Sequence, residues 1–212
     1  MGLAQQLKEG TKQSHSAAEN TKFVSSFLRG VVSKENYRQL VSNYYFIYHA
    51  METEVLRLKD DPVVGPLNMK ELYRHGGLAK DCEYFWGSGW RNSIYPTDAA
   101  QQYVNRIREV AHDQTELLVG HHYTRYLGDL SGGQILKNIA EKSLKLNDGG
   151  LDFYKFDIEN YTETNSEVAE KASIALKNNI NPIICVGETI QQKQNNKTKE
   201  ILSDQIRNSI SK

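Results

Sequence analysis

The chain has 212 residues and balances 26 lysines and arginines against 26 aspartates and glutamates. Zero net charge gives no electrostatic case for a nucleic-acid partner, which is held through an excess of cationic side chains. Two cysteines, Cys82 and Cys185, make neither a disulfide framework nor a metal quartet, which points to a reducing cytoplasm; no apolar run nears 18 residues and the N-terminus lacks a basic-then-apolar signal, so no membrane span is expected.

The first informative segment is Leu7-Lys-Glu-Gly-Thr-Lys-Gln-Ser-His-Ser-Ala-Ala-Glu-Asn20. His15 and Glu19 are an i, i+4 pair, so on a helix the Glu19 carboxylate reaches one ring nitrogen of His15. That contact would fix the tautomer and leave the other nitrogen for a metal, as expected of a metal-bound histidine. Lys8 and Lys12 fall roughly on the same helical face, which suits a cofactor with carboxylates at its edge. An ordinary solvated helix face has the same pattern, and spacing alone leaves both readings open.

Apolar rhythm predicts helices over residues 37–56, 100–110 and 116–144, separated by turn-rich stretches at 60–65 and 86–96. No period-two strand pattern occurs before residue 158. The aromatic cluster Tyr44-Tyr-Phe-Ile-Tyr48 reads as core packing. Glu109 and His112 have a spacing used in di-iron bundles, but the chain has no second copy. His49, His75 and Cys82 lack a partner pattern, and His121 and His122 read as structural or surface residues.

The third predicted helix carries the most information, in Tyr123-Thr-Arg-Tyr-Leu-Gly-Asp-Leu-Ser-Gly-Gly-Gln134. Gly128, Gly132 and Gly133 interrupt a pattern that is otherwise helical, and each glycine costs roughly 0.5–1 kcal/mol relative to alanine. Gly128 and Gly132 are four apart and share a face, with Asp129 one step round. Close helix–helix packing and a flat ligand lying on bare backbone both explain that face.

The chain changes character near residue 160: of 20 aromatic residues, 19 precede Tyr161 and none follows it. Ile183 to Val186 reads as a short buried strand ending at Gly187, with helices predicted over 166–178 and 198–211. That α-β-α unit has no natural place in a helical bundle.

Taken together, the two N-terminal and central motifs, Phe27-Leu-Arg-Gly-Val31 and Asp148-Gly-Gly-Leu-Asp-Phe-Tyr154 resemble the heme oxygenases, most closely the soluble ferredoxin-dependent enzymes of cyanobacteria, their phages and plastids. The resemblance covers residues 1–158 and implies an all-α heme oxygenase-like bundle. It implies that His15 is the axial ligand of the heme iron, oriented by Glu19, with Lys8, Lys12 and Tyr123 meeting the propionates. Gly128, Gly132 and Gly133 would bring the distal helix onto the porphyrin, Asp129 would hold the water network that delivers protons, and Arg125 would extend it. Heme would be substrate and cofactor, dioxygen the oxidant, ferredoxin the electron donor, and biliverdin, ferrous iron and carbon monoxide the products.

Residues 161–210, through Tyr161-Thr-Glu-Thr-Asn165 and Pro182-Ile-Ile-Cys-Val-Gly-Glu-Thr189, resemble an internal piece of triosephosphate isomerase that lacks that family's catalytic stretches. Residues 159–212 are therefore expected to be a fragment of foreign character, not an independent domain, and the bundle to be truncated. The later helices of the heme oxygenase pattern are not visible after Phe156, so weak or absent turnover is expected. Three readings stay open: an oxygenase, a heme-binding protein without turnover, and a non-functional chimeric fragment.

Overall fold

In the computed structural model the described residues are Lys12, Ser16 and 20–177, and all regular structure among them is helical. The α-helices are α1 (Lys22–Leu28), α2 (Lys34–Arg57), α3 (His75–Trp86), α4 (Asp98–Asp113), α5 (Thr115–Leu144) and α6 (Tyr161–Lys177). Short 3₁₀ turns lie at Gly65–Leu67, Lys70–Leu72, Trp90–Asn92 and Asp152–Tyr154. The all-α class is what these residues show; the strand expected at 183–186 and the helix at 198–211 lie outside them.

Local chemistry sets the helix ends. The Ser33 hydroxyl accepts the Asn36 N–H at 3.1 Å and starts α2, with Glu35 in its first turn and Arg57 in its last. Thr97 caps α4 by accepting the Ala100 N–H at 3.3 Å, while its own N–H donates to Asn43 at 3.0 Å and ties α4 to α2. α5 ends at Lys145, whose φ of 50° closes the helix in the left-handed region.

Burial follows the predicted periodicity. α4 buries Ala99, Ala100, Tyr103, Val104, Ile107, Val110 and Ala111, a single apolar stripe at helical spacing. α2 packs against α3 and α4, and α5 packs against α4 and α6. α5 is buried on several sides from Leu117 to His122 and then opens, so only its first half is enclosed by protein.

α1 and α3 are structural elements that the periodicity did not reveal. α3 begins His75-Gly-Gly, a poor start by helix propensity. The reason is a close approach: a Cβ on Gly77 would lie 2.7 Å from the Asp152 carbonyl oxygen, so the Asp152–Tyr154 turn sits directly on the α3 backbone.

After residue 158 the described residues continue the helical body as α6. Val168 and Ala172 of α6 are fully buried, four residues apart on one face, against α5 and the Gly65–Leu67 turn. On the outer side Lys171 pairs with Glu167 at 2.8 Å.

Candidate functional site

The two glycines that share a face of α5 present that face away from the described core: among the described residues, a Cβ built on Gly128 or on Gly132 meets nothing within 4 Å. Gly133 differs, since its Cβ would lie 3.4 Å from the Tyr154 ring, an ordinary packing contact on the protein side of the helix. The close-packing explanation therefore holds at Gly133, and bare backbone facing an opening holds at Gly128 and Gly132.

Asp129 stands at the edge of that open face and is half-buried. The hydroxyl of Tyr48, on α2, donates to its Oδ2. The same hydroxyl accepts from Nε of Arg125 at 3.1 Å, so Arg125, Tyr48 and Asp129 form a continuous hydrogen-bonded line. Arg125 is 5% exposed and its guanidinium carbon lies 4.4 Å from the Tyr44 ring centroid and 4.9 Å from that of Tyr48. These cation–π contacts hold a buried guanidinium between two rings. Among the described residues the buried Nη2 of Arg125 has no hydrogen-bond acceptor. Burial first, and then the Asp129 carboxylate, push the Tyr48 phenol well above its usual value, so it stays a donor.

One turn beyond Tyr48 on α2, Glu52 forms a second buried node. It accepts from the Tyr126 hydroxyl and the His75 N–H, each at 3.1 Å, and from the Arg74 N–H. Burial raises its carboxyl above the ordinary carboxylate range, although the two backbone donors and Tyr126 oppose this. Long side chains, Tyr48 and Glu52 on one helix and Arg125, Tyr126 and Asp129 on the other, thus bridge α2 to α5 behind the glycine face.

Among the expected site residues, Gly128, Asp129, Gly132 and Arg125 are brought together. Tyr123 lies on α5 within the core's margin, partly buried, and burial raises its phenol. Lys12 is helical and exposed, while Lys8, His15 and Glu19 lie outside the described residues. His121 is 1% exposed with Nδ1 3.3 Å from the Tyr103 hydroxyl. His122 is 2% exposed against the Tyr126 ring, and burial lowers its imidazole to about 3. Both are structural. Glu109 and His112 are exposed, and among the described residues no group of three or more potential ligands gathers for a metal ion.

Sequence reasoning passed over Tyr48 as core packing and did not single out Glu52. A signal for Glu52 existed: it is a carboxylate in the buried stripe of α2, four residues from Tyr48, where a solvated acid has no place.

Residues 1–180 match the heme oxygenase family, and residues 158–212 match the triosephosphate isomerase family. A heme oxygenase 1 of Synechocystis is 53% identical over 156 residues, 74% of this chain and 65% of that protein. A heme oxygenase of Porphyra purpurea is 54% identical over 156 residues, 73% of this chain and 66% of that protein. The matched region thus spans just under two thirds of the length of these curated relatives. Among solved structures, heme oxygenase-1 from Synechocystis in complex with heme superposes with a TM-score of 0.85 at 40% identity, covering 99% of this chain and all of that one. The heme oxygenase of Leptospira interrogans gives a TM-score of 0.86 at 34% identity, covering 94% of this chain.

Proposed function

The chain belongs to the heme oxygenase family, and from that premise we propose that it cleaves heme oxidatively to biliverdin, ferrous iron and carbon monoxide, using dioxygen and electrons from reduced ferredoxin in the cytoplasm. The observation that carries this reading is the bare Gly128/Gly132 face of α5 with Asp129 at its edge and Arg125 and Tyr48 behind it. A flat macrocycle needs main chain without Cβ atoms over its surface, and these two positions supply that. The buried Arg125 Nη2, without an acceptor among the described residues, makes the same wall polar. The residues present therefore fit heme.

When bound, heme supplies both the ring to be cut and the iron at which dioxygen is activated. The chain's own residues do the rest. His15, oriented by Glu19, would hold the iron, and a neutral histidine donates less electron density than a thiolate. Lys8, Lys12 and Tyr123 are the proposed partners of the propionates, and Gly133 keeps the distal helix seated on Tyr154. Asp129, pinned by the Tyr48 hydroxyl, holds the water that delivers protons at the open face, a form of general acid catalysis.

A second reading, heme binding without turnover, is favoured by the triosephosphate isomerase match over residues 158–212. One experiment separates them: hemin titration of the wild-type chain and His15→Ala, followed by reduction with ferredoxin in air. A His15-dependent Soret band that decays to biliverdin absorption supports the oxygenase. A stable band gives the second reading, and no band refutes both.

A further inference from the structure

Residues 148–154 carry part of the family likeness, and of them only Tyr154, the seat of Gly133, has a role above. Two buried charged side chains, Arg74 at the N-terminal end of α3 and Asp81 within it, fasten this segment to that helix. Asp81, fully buried, accepts the N–H of Asp152 at 2.7 Å and of Phe153 at 2.8 Å. Arg74, 5% exposed, donates to the Phe153 carbonyl at 3.2 Å and to the Lys155 carbonyl at 2.5 Å, and its guanidinium lies 3.8 Å from the Phe156 ring centroid. Both direct their charge at main-chain groups of the same short turn.

What the turn presents on its other side is the back of the candidate site. The Phe153 ring lies 5.3 Å from Tyr44 and 5.4 Å from Tyr48, the two rings that flank Arg125. The Tyr154 ring backs Gly133, and the Tyr154 carbonyl accepts from Gln134 at 2.9 Å, so the turn also grips α5 next to Gly132. Burying two charges to hold a loop is a costly way to gain stability, since apolar side chains of similar volume often do as well. It is an effective way to fix a position, because four main-chain hydrogen bonds leave the turn little freedom to slide.

We propose that residues 151–156 form a strap that sets the position of the Tyr48 hydroxyl, with Asp81 and Arg74 as positioning residues for Asp129. The assignment of a proton-delivering role to Asp129 rests on the heme oxygenase reading; the strap geometry does not.

The test uses the ligand-free full chain grown with fluorotyrosine, with the fluorine resonances of Tyr44 and Tyr48 assigned by Tyr44→Phe and Tyr48→Phe. Asp81→Asn keeps the shape but accepts through one oxygen only, and Phe153→Leu keeps the fastening and removes the ring. Both are expected to move the Tyr48 resonance and to lower biliverdin formation, by up to about 100-fold, the scale of a remote displacement of about 1 Å, while hemin affinity changes by a much smaller factor. Unmoved Tyr48 resonances in both variants overturn the strap. So does a moved resonance whose hemin affinity falls by the same factor as turnover, since that describes general loosening. If the wild-type chain binds heme without turnover, the fluorine spectra still decide the strap, and the oxygenase reading alone has failed.

Discussion

Asp81→Asn should change how stability depends on pH. Burial raises the Asp81 carboxyl from its ordinary 3.8 to about 6, against the opposing pull of the Phe153 and Asp152 N–H groups. A carboxyl whose folded pKa exceeds its unfolded one binds its proton more tightly in the folded chain. Its contribution to stability is therefore fully present below about pH 4 and is lost as pH rises through 6. At 1.36 kcal/mol per pH unit, the whole swing is roughly 3 kcal/mol. Asparagine has no such proton. The stability of the wild type relative to Asp81→Asn should thus fall by roughly 3 kcal/mol between about pH 4 and pH 7.5. Urea titrations of both ligand-free proteins, followed by helical circular dichroism across that range, measure the difference directly. Asparagine also loses one of the two hydrogen bonds accepted from main-chain N–H groups, worth about 1–3 kcal/mol, so the slope is diagnostic and the offset is not. Parallel curves would refute the reasoning, because they would mean that Asp81 titrates as freely in the folded chain as in the unfolded one.

Gly128→Ala and Gly132→Ala should each raise the stability of the ligand-free chain by about 0.5–1 kcal/mol, because the added methyl meets nothing within 4 Å among the described residues. Both should weaken hemin binding, and a fall in Tm would show instead that protein packs on this face. Tyr48→Phe removes the hydroxyl between Arg125 and Asp129 at a fully buried position, and a loss of about 1–3 kcal/mol in urea titration is expected; an unchanged midpoint would mean that the line carries no net stabilisation. Asp129→Ala should keep the Soret band and lose biliverdin formation, and a normal biliverdin yield from that variant would remove Asp129 from the mechanism.

Helix spacing made much of this bundle legible. The helix expected over 37–56 is observed at Lys34–Arg57, that over 100–110 at Asp98–Asp113, and that over 116–144 at Thr115–Leu144. The apolar residues of each recur at helical spacing, most cleanly in the single buried stripe of α4, so the periodicity is written in the order of residues. α3 was not legible because its Gly76-Gly77 start obeys a tertiary demand, the approach of the Asp152 carbonyl, which no local pattern encodes. The candidate site divides in the same way. Gly128, Asp129 and Gly132 could be read because glycine in a helix is conspicuous. Tyr48 hid inside an aromatic run that packing alone explains, and its role depends on Arg125 and Asp129, which lie 77 and 81 residues away along the chain. Arg74 and Asp81 were invisible for a related reason: their partners are main-chain groups, which every sequence has at every position.

Residues 158–180 fall within both family matches, and α6, within that overlap, packs on the bundle through one face. A helix laid across a bundle needs small or apolar residues at i and i+4 and little more, which Val168 and Ala172 provide against α5. Its entry is fixed by the strap, since the Phe156 N–H donates to the Tyr161 hydroxyl at 3.3 Å while Arg74 lies over the Phe156 ring. The amphipathic requirement is degenerate, so a helix with a different family's residues can occupy the position. The glycine face and the strap are not degenerate. A side chain at Gly77 would strike the Asp152 backbone, and one at Gly128 or Gly132 would enter the space proposed for heme. The main-chain contacts that shape this wall lie before residue 158, so a change of sequence after residue 158 can leave the wall formed by α2, α5 and the strap in place.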